Sequence, residues 1–65
     1  MLTEVALSRR QFITIPDLND GDLSIAYLEG SRLCICTTGS NKVYVWEDQK
    51  WIWYKYAPKR VRFSP

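Results

Sequence analysis

Lys42-Val43-Tyr44-Val45-Trp46-Glu47-Asp48-Gln49-Lys50-Trp51-Ile52-Trp53-Tyr54 is the stretch from which the fold is read. Two runs of β-branched and aromatic residues flank a polar turn, Glu47 to Lys50, the composition of two strands joined by a short hairpin connection. The first strand, Lys42 to Trp46, sets Val43 and Val45 on one face and Tyr44 and Trp46 on the other. The second, Trp51 to Tyr56, carries aromatic residues on both faces. A sheet with one wet face alternates apolar and polar residues. This one does not, and two readings are open: a closed small barrel with partly exposed outer aromatics, or a second face that packs on another subunit, where Trp and Tyr are enriched.

Working outward, the same grammar continues. Arg32 to Thr37 reads as a strand with Leu33 and Ile35 opposite Cys34 and Cys36. Glu29-Gly30-Ser31 has hairpin length, and Leu23 to Leu28 places Leu23, Ile25 and Tyr27 against Ser24, Ala26 and Leu28. Gly39-Ser40-Asn41 turns, as does Asp17-Leu18-Asn19-Asp20-Gly21-Asp22, whose Asx side chains bond nearby backbone while Gly21 supplies positive φ. Gln11 to Ile15 is a further strand candidate ending at Pro16. Leu2 to Arg10 has room for one or two helical turns, with Leu2, Val5 and Ala6 on one side. Val61 to Phe63 adds a short final strand. Turns every eight to twelve residues or so predict one all-β domain over residues 1–65: a small antiparallel meander or barrel of four to six strands with a short N-terminal helical turn.

At 65 residues the core is near the lower size for independent stability. Domains this small draw on disulfides, metals or neighbouring subunits. Cys34 and Cys36 are the two cysteines and there is no histidine, so four zinc ligands are not at hand. Two apart on one strand, the thiols leave the same face with Cα atoms about 6.5 Å apart and parallel Cβ directions, a poor disulfide. They read as inert core thiols, the chain as an intracellularly assembled one, and oligomerisation as the remaining support. Met1 to Val5 lacks a signal-peptide pattern, and no run reaches the ~20 apolar residues of a membrane span.

Catalytic constellations are missing from the sequence. Without histidine there is no ordinary base near neutral pH, and Arg32 alone stands near the cysteines to activate them. Asp17, Asp20 and Asp22 share the Gly-bearing spacing of a calcium loop without its closing glutamate, so a plain Asx-Gly turn is expected. The glycines are scattered one per turn, not gathered in a phosphate loop. The expectation is a non-enzyme without metal or cofactor. Net charge is +2, but it is polarised, and Lys50, Lys55, Lys59, Arg60 and Arg62 make the C-terminal quarter positive. Lys55, Lys59, Arg60 and Arg62 are therefore candidate anion-binding residues. Together with Trp46, Trp51, Trp53, Tyr54 and Tyr56 they hold the ingredients of a single-strand nucleic-acid platform.

Leu18-Asn19-Asp20-Gly21-Asp22-Leu23-Ser24-Ile25-Ala26-Tyr27, followed after a gap by Lys42-Val43-Tyr44-Val45-Trp46-Glu47-Asp48-Gln49-Lys50-Trp51, resembles a hairpin module of bacteriophage tail-fibre and virion appendage proteins. In that module a Leu-x-x-Gly-Asp entry leads into a strand ending near Tyr-Val, and a Leu-Tyr-Val-Trp/Tyr-Asp-Gly hairpin with a following Trp comes later. The likeness spans Leu18 to Trp53. This chain differs in lacking the hairpin glycine and in inserting the cysteine-bearing strand Arg32 to Thr37. The resemblance implies a virion structural protein, an appendage, adaptor or decoration component, assembled in the host cytoplasm as a homo-oligomer or docked on other virion proteins. The candidate interface is Tyr44, Trp46, Trp51, Trp53 and Tyr54. The alternative is a small β-barrel that binds single-stranded nucleic acid or a protein partner.

Overall fold

The computed structural model describes residues 3–57, so the expected strand at Val61 to Phe63 lies outside the described residues. Five strands pair in chain order as an antiparallel meander: β1 (Thr3–Glu4), β2 (Ser24–Glu29), β3 (Arg32–Thr37), β4 (Lys42–Glu47) and β5 (Lys50–Tyr56). One short helix, α1 (Arg9–Ile13), lies between β1 and β2. Among the described residues β1 and β5 are edges and do not pair, so the sheet is an open meander and not a barrel.

The face assignments follow the sequence alternation. Ile25, Tyr27, Cys34, Cys36, Val43 and Val45 form one buried cluster, joined by Ile52, Tyr54 and Ala57. Ala26, Ile35, Tyr44 and Trp51 form a second on the opposite face. The first face is concave. Glu29 ends β2, while Lys55 lies on β5 opposite Val43, four residues further down the sheet. On a flat sheet those positions lie about 20 Å apart, three strand spacings across and four residues along. That exceeds the joint reach of a lysine and a glutamate, yet Lys55 Nζ donates to Glu29 Oε2 at 3.0 Å. The sheet is curled and coiled until these diagonal corners meet, as right-handed strand twist favours. A β-bulge helps: the register slips between Val43 and Tyr44, leaving Tyr54 as the extra residue of β5.

The convex face has an intrachain cover. Val5, Leu7, Ile15 and Leu18 from the N-terminal arm pack on Ala26, Ile35, Tyr44 and Trp51. That accounts for strands apolar on both sides without barrel closure. Two buried aromatics hold the arm by their polar tips: Trp51 Nε1 donates to the Gln11 carbonyl at 2.8 Å, and the Tyr44 hydroxyl donates to Asp17 Oδ2 at 2.9 Å.

Two expectations for the arm are corrected. Gln11 to Ile15 is not a strand, since Arg9–Ile13 is helical. Ser8 accepts from the Gln11 amide while the Gln11 side chain accepts from the Ser8 amide, a capping box that satisfies two free helix amides. The helical turn expected over Leu2 to Arg10 is likewise displaced. Val5 continues the extended chain through its amide to the Ala26 carbonyl. Val5 and Leu7 turn inward and Ala6 outward, a period of two and not a helical face.

The two hairpins solve their turns differently. In Gly30-Ser31 only the first residue has positive φ, +64°, the type II′ arrangement that glycine suits. In Asp48-Gln49 both are left-handed, at +51° and +61°, a type I′ turn made without glycine. Asp tolerates that region, whereas Gln carries the usual Cβ penalty of about 1 kcal/mol or more. Gln49→Gly is therefore expected to stabilise the domain by about 0.5–1 kcal/mol, after the greater unfolded-state entropy of glycine is allowed for. A urea midpoint that stays put or falls would show that the strain is relieved elsewhere. At Gly39 an added Cβ would press on the Asp22 carboxylate, which would have to swing aside and loosen its bond from the Asn19 amide.

Candidate functional site

Hydrogen-bond parity along β5 identifies the surface left available among the described residues. A two-residue hairpin closes on a pair that exchanges both backbone bonds, and the bonding alternates from there. Glu47·Lys50 is thus a bonded pair, Trp46·Trp51 non-bonded, Val45·Ile52 bonded and Tyr44·Trp53 non-bonded. The same alternation, counted from Glu29·Arg32, agrees with the bonds Thr38 N–H to Leu23 O and Val5 N–H to Ala26 O. Beyond the bulge, the Ala57 amide bonds the Asn41 carbonyl, so Tyr56 is again a non-bonded position. Trp51, Trp53 and Tyr56 therefore direct their amides and carbonyls away from β4, and no described strand meets them.

The same edge carries exposed aromatic area. Trp53 is 52% exposed and Tyr56 65%, and their rings pack edge-on with centroids 5.5 Å apart. Trp51 and Trp46 form a similar pair at 5.0 Å, with Trp51 buried and Trp46 half-buried. A seven-residue edge strand with open backbone groups and solvent-facing aromatics can add a strand or stack on a flat partner.

At the rim of the concave face the charges are mutually satisfied. The Glu29 carboxylate accepts from the Tyr54 hydroxyl at 2.9 Å and from Lys55, and these bonds hold it below its ordinary pKa, Lys55 contributing most. The bond to Glu29 raises the Lys55 ammonium in turn. The Arg32 guanidinium lies 4.8 Å from the Tyr54 ring centre and pairs with Glu47 at 2.9 Å. Both ion pairs are about half exposed, so each is worth little at physiological salt. Beneath them Cys34 and Cys36 are free and buried, and burial pushes both thiols up, away from reactivity.

The sequence-predicted site residues thus separate. Tyr44 and Trp51 lie under the N-terminal arm, Trp46 is half-buried beside them, Tyr54 faces the concave rim, and Trp53 stands open on the convex side of β5. Of the candidate anion-binding residues, Lys55 is paired with Glu29, while Lys59, Arg60 and Arg62 lie outside the described residues. Tyr56 belongs with Trp53. The signal for that pairing was hidden, because the bulge at Tyr54 moves Tyr56 onto the face that simple alternation denies it. Among the described residues no three metal-ligating side chains converge, and no helix is long and apolar enough to cross a membrane. Compared with protein-family models, curated proteins and solved structures, the chain matches none.

Proposed function

We propose that this chain is a structural interaction module, a virion appendage, adaptor or decoration component of the phage type, that contacts its neighbours through the outer edge of β5. The observation that carries the reading is the coincidence, on one strand, of outward-directed backbone groups at Trp51 and Trp53 with the exposed Trp53–Tyr56 pair. Aromatic anchors beside open main-chain groups are the ingredients of strand addition. The likeness of Leu18 to Trp53 to virion hairpin modules supplies the setting. The rival, a single-strand nucleic-acid platform, draws less support from the described cations, since Lys55 and Arg32 are each held by a glutamate.

Sedimentation velocity at two protein concentrations and two salt levels, with and without a single-stranded oligonucleotide, tests the reading. The expected result is a discrete, salt-tolerant oligomer that ignores the oligonucleotide. Trp53→Ala weakens it about tenfold or more, the effect of removing an interface aromatic worth over 1 kcal/mol. The half-exposed position of Trp53 leaves the fold itself little changed. A monomer that shifts with the oligonucleotide at low salt overturns assembly in favour of the binding module. A monomer indifferent to it removes self-association and leaves docking on another virion protein.

A further inference from the structure

We infer that the partner at this edge is a second copy of the chain, its β5 paired antiparallel to the first about a twofold axis at Ile52. The inference rests on the assembly reading above and names its partner and register. Parity leaves few symmetric choices. Centring the axis on Trp53 would pair Trp51 with Lys55, where the bulge has turned the backbone toward β4. Centring it on Trp51 would pair Trp53 with Gln49, inside the hairpin turn. Centring it on Ile52 brings Trp51 opposite Trp53 of the partner and Trp53 opposite its Trp51. All four residues then present outward groups, and four backbone hydrogen bonds form.

Side chains agree with that register on both faces. On the convex side a row runs Tyr44, Trp53, then Trp51 and Trp46 of the second copy, an extension of the aromatic contact that Trp46 and Trp51 already make within one chain. On the concave side Val45 and Ile52 meet Ile52 and Val45 of the second copy. Charge agrees as well. Lys50 falls opposite Tyr54, Lys55 is drawn over the concave face by Glu29, and no like charges oppose one another. Lys55, which would otherwise help keep this edge from pairing, is thereby turned onto the concave face. The twofold uses the β5 edge of both copies, so the contact is a closed pair at this edge, and the bulge limits the ladder to the stretch around Ile52.

Ile52→Cys tests the register, because a non-bonded antiparallel pair sets its Cα atoms about 4.5 Å apart, within disulfide range. The native thiols are fully buried and can stay. Under mild oxidation the variant is expected to convert to a dimer joined at position 52, mapped by peptide mass. Lys50→Cys, which faces Tyr54 of the other copy, is expected to cross-link at least tenfold less. In the unmodified protein, the Trp51 and Trp53 amides gain hydrogen-exchange protection as concentration rises, a readout that needs no variant to fold. A dimer in sedimentation whose Trp51 and Trp53 amides stay unprotected, or whose position 52 does not cross-link, overturns this pairing while the assembly reading stands. A monomer at all concentrations overturns this pairing and self-association together, and leaves docking on a different protein as the use of the edge.

Discussion

Trp51→Ala is expected to abolish cooperative folding at 37 °C. Trp51 is 9% exposed, packs edge-on against Trp46, and donates its indole N–H to the Gln11 carbonyl. Truncating a buried tryptophan costs about 3–5 kcal/mol. A domain of this length has a total stability of roughly 3–10 kcal/mol by the usual per-residue figure. The loss is compounded because this side chain also anchors the N-terminal arm over the convex face. Trp51→Phe separates the two roles. It keeps a ring in the cluster but removes the donor, leaving the Gln11 carbonyl only the Thr14 hydroxyl at 3.2 Å, for a cost of about 1 kcal/mol. Urea unfolding followed by circular dichroism measures both. In Trp51→Phe, faster amide exchange should concentrate in residues 5–18. A loss below about 1 kcal/mol for Trp51→Ala would mean that the arm is held by something other than this contact.

Raising the pH above 9 is expected to destabilise the domain progressively, most steeply between pH 10 and 12. Burial in the concave cluster, reinforced by the neighbouring Cys34 and Glu29 charges, pushes the Tyr27 hydroxyl from its ordinary 10.0 up to about 12. Burial raises Cys34 and Cys36 above 9.0, and burial with the Asp17 bond raises Tyr44. In each case the unfolded chain loses its proton first. Stability is therefore complete below the unfolded pKa and falls as pH rises toward the folded one. For Tyr27 alone the full loss is on the order of 2 kcal/mol. Tyr27→Phe removes that titration, so its denaturation midpoint should decline less than that of the unaltered chain between pH 9.5 and 11.5. Parallel decline of the two would assign the alkaline loss to the thiols and Tyr44 instead.

Strand content and strand faces were legible in the sequence because both rest on local rules. Alternation with a period of two put Cys34, Cys36, Val43 and Val45 together and Ile35 with Tyr44, and Gly21 and Gly30 marked turns that need positive φ. The helix could have been found from Ser8 and Gln11, three apart in capping-box spacing, but the β-branched residues that follow argued for a strand on propensity. The turn at Asp48-Gln49 shows the same tension. Hairpin pairing on both sides holds two side-chain-bearing residues in a left-handed conformation that the sequence gives no reason to expect.

By itself, the sequence determined an all-β domain, meander or barrel, whose strands are apolar on both faces, since side-chain order along an extended chain depends on nothing beyond the chain. Tertiary structure alone decided what covers each face. The concave side closes because twist and the bulge at Tyr54 carry Lys55 to Glu29, and the convex side is covered by the N-terminal arm through Trp51 and Tyr44. Those outcomes turn on curvature and on contacts between residues as many as 40 positions apart, which no periodicity encodes. They leave Trp53, alone among the five aromatics of the candidate interface, both exposed and beside backbone groups turned outward.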